Sequence, residues 1–221
     1  MGVLPLGTGN DFARTLGMPL DPDQAWDALL AGDPAPCDVL RIVVDGQERI
    51  ALNMFTAGNT GRYLESLTDE MKQRWGPLCY LRGVVDVVAN LQTFSGDINL
   101  DGHGLAGREW LNLFIANGKF SGGGNEVMSA ATPFDGRLNL LVVADGSPTS
   151  LMSLPASYFR GEVIEHPLVF AKAGHEVRIQ AATPWPCTAD GESFEASEII
   201  ATIQPKALTI IRPKATLQLS V

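Results

Sequence analysis

Five Asp-Gly dipeptides, at 45–46, 101–102, 135–136, 145–146 and 190–191, punctuate this chain of 221 residues. Asp-Gly favours tight turns because glycine takes positive φ without penalty and the aspartate side chain hydrogen-bonds the nearby backbone. Between these turns apolar residues alternate: Leu40, Ile42 and Val44 share one side of an extended chain, and Ile50, Leu52 and Met54 do so beyond Asp45-Gly46. That pattern predicts a β-hairpin. Further strands are predicted at 97–100, 110–116, 138–144, 176–181, 199–204 and 207–212. Short strands separated by turns must bury their apolar faces against one another, which argues for an antiparallel sandwich or barrel.

Helical signals are fewer. Val3 to Leu6 predicts a short strand that runs through Gly7-Thr8-Gly9 into a helix at 10–16. Asn10 or Asp11 would cap that helix, Phe12 and Leu16 would share one face, and Gly17 with Pro19 would end it. A second helix would start at Asp21 or Asp23, bury Trp26, Leu29 and Leu30, and stop at Gly32. Near Pro36 the helical period gives way to alternation, which predicts a boundary between an αβ segment and a mostly β domain. Three later helices are expected, at 63–74, 77–91 and 149–160.

Lys and Arg total 16 against 25 Asp and Glu, a formal charge of −9. Such a chain lacks the basic field that nucleic-acid backbones require, so no DNA or RNA partner is expected. The longest mostly apolar stretch, 138–144, falls far short of the ~20 residues that span a bilayer. No basic and apolar leader follows Met1, so a cytoplasmic setting is expected. Cys37, Cys79 and Cys187 form no CxxC pair, and His103, His166 and His175 do not fall at zinc spacings, so the thiols are read as reduced core residues. Ser121 sits among glycines without the G-x-S-x-G spacing of a nucleophile elbow, which argues against a hydrolase.

The stretch 2–14, Gly-Val-Leu-Pro-Leu-Gly-Thr-Gly-Asn-Asp-Phe-Ala-Arg, has two readings. Glycines leading into a helix can bring free N–H groups close to a phosphate, and they can equally form a plain strand-to-helix turn. No Lys-Ser/Thr follows, as a Walker A loop would need, and Phe12 stands where a dinucleotide fingerprint has its last glycine. Asp190-Gly191-Glu192 likewise reads as a solvated hairpin turn or as a pair of working carboxylates, and Asp135 as a turn residue or a cation ligand.

As a motif string, Leu-Pro-Leu-Gly-Thr-Gly-Asn-Asp-Phe-Ala-Arg at 4–14 closely resembles the catalytic segment of the diacylglycerol kinase family, shared by bacterial lipid kinases and related to sphingosine and ceramide kinases. Ala116-Asn117 with Gly122-Gly123-Gly124, Asp135-Gly136-Arg137-Leu138 and Asp190-Gly191-Glu192 resemble further family motifs, in family order. There are two departures. The family's upstream Gly-Gly-Asp-Gly-Thr is not in this sequence, and the proline that usually follows the triple glycine is replaced within Val127-Met128-Ser129-Ala130-Ala131.

The resemblance implies an α+β chain: a mainly antiparallel β-sandwich with a few helices at 36–204, preceded at 1–35 by the remnant of an α/β nucleotide-binding domain, with strands at 205–221 returning to that first domain. It implies transfer of the γ-phosphoryl group of ATP to a lipid hydroxyl with Mg2+. Asp190 would be the general base and Glu192 would support it by orienting groups or holding metal. Gly7, Thr8, Gly9, Asn10 and Asp11 would contact ATP. A structural Mg2+ would take the Asp135 side chain and the main-chain oxygens of Thr132 and Arg137. Contact with the membrane would be peripheral, through a local patch and not bulk charge, and a homodimer is left open. The chain would be a fragment that lacks the Gly-Gly-Asp-Gly-Thr half and is inactive alone. The alternative is a non-catalytic lipid- or protein-binding module derived from the same fold.

Overall fold

A computed structural model describes residues 1–60, 91–105, 109–159 and 163–214. The helix expected at 63–74, all but the last residue of the helix expected at 77–91, and Cys79 lie outside them. Two helices open the chain, α1 (Asp11–Leu16) and α2 (Pro22–Ala31). The strands are β1 (Asp33–Val44), β2 (Gln47–Ala51), β3 (Met54–Gly58), β4 (Phe94–Leu100), β5 (His103–Gly104), β6 (Glu109–Ala116), β7 (Phe120–Ser121), β8 (Asn125–Glu126), β9 (Leu138–Ala144), β10 (Val169–Gly174), β11 (Glu176–Ala189) and β12 (Glu192–Arg212). Helix α3 (Pro148–Phe159) and a 3₁₀ turn (Val163–Glu165) lie between β9 and β10.

All pairings among the described residues are antiparallel, so the chain is mainly antiparallel β with few helices, as expected. Ten strands form one sheet in the order β10-β9-β6-β3-β11-β12-β1-β2, with β4 pairing β11, β5 and β6 off that path. Strand β11 shifts register between Gln180 and Trp185, so its first part pairs β4 and its last part pairs β3. Since β6 also pairs both β3 and β4, these four strands close a circuit. The sheet thereby turns one face inward, where Leu40, Ile42, Phe55, Ile98, Leu113, Leu140, Ile179 and Ile199 share one buried cluster. Strand β9 is buried throughout because its other face packs Leu141 and Val143 toward Leu151 and Leu154 of α3.

Three Asp-Gly pairs take turns with both residues at positive φ: Asp45 at 47° with Gly46 at 83°, Asp101 at 49° with Gly102 at 83°, and Asp190 at 47° with Gly191 at 94°. These two-residue turns match the twist of the flanking strands and close β1–β2, β4–β5 and β11–β12. Asp135-Gly136 instead leads into β9, and Asp145-Gly146 leads into α3.

Several sequence expectations are corrected. Val3 to Leu6 is not a strand: Pro5 has no N–H, and the Leu6 N–H turns back to Leu4 O at 3.0 Å. Only Met1 reaches the sheet, its amino group donating 2.7 Å to Thr209 O and its carbonyl accepting 2.8 Å from Ile211. In α2 the inward stripe is Ala25, which is buried, with Ala28 and Leu29 partly buried, while Trp26 is 54% and Leu30 71% exposed. The small alanines at i and i+3 let α2 approach Leu16, Cys37 and Ile210 closely, which turns Trp26 and Leu30 outward. The expected second hairpin arm at 50–54 is cut at Leu52-Asn53, and Met54 opens a new strand that leaves β2 for β6 and β11. Strand β12 starts at Glu192, earlier than expected, and runs unbroken past Pro205, where Lys206 at φ 55° opposes a register shift between Cys37 and Val39. Residues 208–212 pair with 33–37, and Ile210 packs in the same cluster as α1 and α2.

Candidate functional site

The break at Leu52-Asn53 exists because the backbone there turns its N–H groups toward the β11–β12 turn. The Asp190 carboxylate accepts from Leu52 at 2.6 Å, Asn53 at 3.1 Å and Met54 at 2.9 Å, and the Asp190 N–H donates to Met54 O at 3.0 Å. The residue sits at an exposed turn, yet its carboxylate is sunk against this backbone. Burial pushes the Asp190 carboxyl above the usual 3.8; the three N–H donors oppose the rise and the charge of Glu192 adds to it. The backbone is the hairpin turn of the first reading, and within it the carboxylate is held by three main-chain N–H groups. Glu192 is exposed and stands 3.8 Å from the Arg49 guanidinium, which lies over the Phe194 ring.

The same fastening recurs at the two other turns of this kind. Asp45 accepts from Ser197 and Glu198 N–H, and Asp101 accepts from His175 and Glu176 N–H. At Asp101 burial also raises the carboxyl, but the N–H groups of Glu176 and His175 outweigh it and hold it below the usual range. Asp190 differs in having three donors, a shift in the opposite direction, and a connection onward through Asn53.

Asn53 Nδ2 donates 2.9 Å to Phe120 O, and Asn53 O accepts from the N–H groups of Asn117 at 2.9 Å and Gly118 at 2.8 Å. Asn117 Nδ2 in turn donates to Leu52 O at 2.7 Å and Asp38 O at 3.0 Å. This binds the 52–54 backbone to the loop that carries the triple glycine. The far side of that loop meets the start of the chain: Lys119 N–H donates to Thr15 Oγ1 at 3.0 Å, and Asp11 accepts from Gly123 at 3.2 Å and Gly124 at 2.6 Å. Arg14 donates to Gly9 O at 3.2 Å, and a Cβ added to Gly124 would lie 2.9 Å from its guanidinium carbon. A Cβ on Gly9 would lie 3.3 Å from Asp11 Oδ2 and 3.5 Å from the Gly123 backbone, so glycine there permits the close approach of two loops.

Asn10 lies in the left-handed region and makes no side-chain cap; its Oδ1 accepts from Gly7 N–H at 2.9 Å, while Asp11 reaches across to the glycine loop. Neither side chain caps α1, because each serves a loop instead. Thr8 is exposed, and the N–H groups of Thr8, Gly9 and Asn10 have no hydrogen-bond partner among the described residues. Open main-chain donors beside tightly approaching glycines fit a phosphate in kind.

Asp135 is exposed, with Oδ1 accepting from Arg137 N–H at 3.0 Å. No group of three or more His, Cys, Asp or Glu suited to a metal occurs among the described residues. A site of one carboxylate and two main-chain carbonyls is not such a group, and its hard oxygens suit Mg2+ in kind. Beside it lies Asp38, 1% exposed, which accepts from Gly136 at 2.7 Å and Lys206 at 2.7 Å and so pins this loop to β12. Sequence reasoning missed Asp38, Asn53 and Arg14 as site-building residues. An acid beginning an apolar run was the one available sign for Asp38; Asn53 occupies the polar side of an alternating segment and gave none.

Other constellations do not form reactive pairs. Cys37 and Cys187 are buried free thiols, pushed by burial to about 11 and about 12, with lesser pushes from Asp38 and from Asp45 and Glu195. Ser153 Oγ lies 2.8 Å from His166 Nε2. Because His166 Nδ1 accepts from Leu168 N–H at 3.2 Å, the ring proton is assigned to Nε2, so the histidine donates to the serine and is not its base.

Comparison with known proteins matches this architecture on both sides of the site. Residues 55–212 match the family described as YegS C-terminal NAD kinase beta sandwich-like domain, and residues 1–42 match the Diacylglycerol kinase catalytic domain. A "Probable lipid kinase YegS-like" of Pseudomonas fluorescens is 31% identical over 216 residues, covering 96% of this chain and 68% of the relative. A protein of the same description from Pseudomonas aeruginosa PAO1 is 28% identical over 214 residues, with coverage of 96% and 68%. In fold, the chain resembles a solved diacylglycerol kinase structure from Bacillus anthracis, with a TM-score of 0.70 at 21% identity over 97% of this chain and 67% of that one. A second structure from that organism gives 0.78 at 23% identity, over 97% and 68%. With a family match across most of its length and a relative that it covers by two thirds, the chain belongs to the YegS-like lipid kinase family.

Proposed function

We propose that this protein works as a lipid kinase that transfers the γ-phosphoryl group of ATP to a lipid hydroxyl, supported by Mg2+. One observation carries the reading: the Asp190 carboxylate is tied through Asn53 and the 117–124 loop to Asp11 and the glycine segment. Three donors occupy most of the roughly four acceptor positions of a carboxylate, and the position left on Oδ2, which takes Leu52 N–H and a longer contact from Asn53, would accept from a lipid hydroxyl. Asp190 would take the hydroxyl proton as that oxygen attacks the γ-phosphorus. The bond from γ-phosphorus to the β–γ bridging oxygen breaks, and ADP leaves with its electron pair. The rise of the Asp190 carboxyl makes it a better proton acceptor than an ordinary aspartate. Glu192 supports it through its nearby charge, and Gly7, Thr8, Gly9, Asn10 and Asp11 line the nucleotide side. Asp135, with the carbonyls of Thr132 and Arg137, would hold Mg2+, whose charge would brace that loop when bound.

On this reading residues 1–35 belong to the nucleotide-binding side, 36–204 to the sandwich, and the segment after 205 returns to the first unit. The apolar cluster joining Ala13, Leu16, Ala25 and Cys37 to Ile210 supports that division. No described helix is long and apolar enough to cross a membrane, and we read the protein as cytoplasmic with peripheral membrane contact. Since the net charge is −9, docking should depend on a local patch and persist in salt.

The test is transfer of radiolabelled phosphate from ATP to a panel of lipids, with the whole protein and its Asp190→Asn variant. Labelling of a lipid by wild type alone supports the reading; labelling of none, or equal labelling by both, removes it. A second reading, a non-catalytic lipid- or protein-binding module, is favoured by the fact that Asp45 and Asp101 make the same kind of fastening without a neighbouring glycine loop. Vesicle binding with no transfer would select it.

A further inference from the structure

We propose that Asn53 is a positioning residue that holds the Asp190 carboxylate and the triple-glycine loop in one fixed relation. The inference rests on the kinase reading for its functional meaning, but the coupling itself is a property of the fold. Asn53 uses three of its polar groups in three directions: its N–H to Asp190, its main-chain oxygen to Asn117 and Gly118, and its side-chain Nδ2 to Phe120 O. Phe120 opens β7, which pairs with β8, and these two short strands flank the glycines that Asp11 holds. A shift of the Asp190 turn therefore pulls on the loop through Asn53, beside the parallel bond of Asn117 to Leu52 O.

Two further observations bear on Asn53. Its Oδ1, like that of Asn117 in the same network, is buried with no hydrogen-bond partner among the described residues, which disfavours the fold, so stability alone does not account for an amide here. Its orientation is nonetheless fixed, since Nδ2 must face Phe120 O. The loop also presses directly on it: a Cβ added to Gly118 would overlap Asn53 Oδ1 and stand 2.8 Å from Thr15 Oγ1. Gly118 thus leaves the space that the Asn53 amide fills.

The test is a double-mutant cycle read by amide exchange at Gly123 and Gly124 in this 221-residue chain. Asp190→Ala alone should speed exchange at both glycines at least tenfold, and Asn53→Ala alone should do the same. The double variant should be no faster than either single one, because the two act on successive parts of one connection, Asp190→Ala on the acceptor of the Asn53 N–H and Asn53→Ala on the Nδ2 bond to Phe120 O. Additive effects, or unchanged exchange in Asp190→Ala, would overturn the proposal. Should Asn53→Ala fail to fold, Asn53→Ser and Gly118→Ala disturb the same contact from either side and are read in the same way. In the transfer assay on the whole protein with diacylglycerol and ATP, Asn53→Ala should lower kcat at least tenfold while KM for ATP changes less than threefold. Altered KM with intact kcat would contradict positioning. If the whole wild-type protein transfers nothing, the kinase reading fails and the exchange cycle alone decides the coupling.

Discussion

The Asp190 carboxylate and the Met54 main-chain N–H meet at 2.9 Å across 136 residues of sequence. This contact ends β2, starts β3 and places the β11–β12 turn against the backbone that grips the 117–124 loop. Five acids among the described residues work in a related way, each accepting at least two main-chain N–H groups: Asp11, Asp38, Asp45, Asp101 and Asp190. Charge-assisted bonds of this kind are stronger than neutral ones, and they fasten connections that the sheet ladder leaves free.

Asp190→Asn should leave the protein folded and reduce lipid phosphorylation at least a hundredfold, in line with the ~10²–10⁴ that proton transfer contributes. Turnover near wild type in the radiolabel assay would take Asp190 out of the chemistry.

The pH dependence of Asp190 and Asp101 should run in opposite senses. Asp190 has its folded value raised above 3.8, so its contribution to stability is full below the unfolded value and is lost as pH rises through the folded one. Asp101 has its folded value lowered, so its contribution is present above the unfolded value and is lost as pH falls through the folded one. Carboxyl carbon titrations by NMR should place the Asp190 midpoint above that of Asp101. The acid limb of the transfer rate should follow Asp190 and lie above 3.8.

Asp101→Asn is the structural control for Asp190. It removes charge-assisted bonds to His175 and Glu176 at a partly exposed turn, so stability should fall by on the order of 1 kcal/mol at neutral pH. Lipid transfer should not change. Urea unfolding combined with the kinase assay separates the two effects, and a loss of turnover without a loss of stability would be the wrong result.

Asp38→Ala should destabilise the fold far more. It leaves the N–H groups of Gly136 and Lys206 without their acceptor at a buried position, which costs about 2–5 kcal/mol. A thermal melt within a degree or two of wild type would show that water or a rearranged loop replaces the carboxylate.

Asp11→Asn keeps the size of the side chain but removes the charge that holds Gly123 and Gly124. On the kinase reading KM for ATP should rise about tenfold, equivalent to ~1.4 kcal/mol, with the fold intact. Unchanged nucleotide kinetics would separate the glycine loop from ATP binding.

How much of this was legible in the sequence depends on the range of the interaction. The Asp-Gly dipeptides and the alternation of Leu40, Ile42 and Val44 act within a few residues, so they determined the hairpin turns, the antiparallel class and the core face of most strands. The motif segments at 4–14, 122–124, 135–138 and 190–192 made the family legible too, since short strings can be matched without knowing the fold. Trp26 and Leu30 were assigned inward because periodicity marks a stripe without saying which neighbour covers it, and the small Ala25 and Ala28 won the contact. Tertiary structure alone decided that Asp190 docks on 52–54, that Asn53 joins it to the glycine loop, and that Asp38 is buried. Each of these pairs main-chain groups with a side chain far away in sequence, and every residue but proline carries the same main-chain donor, so no residue type announces the partner.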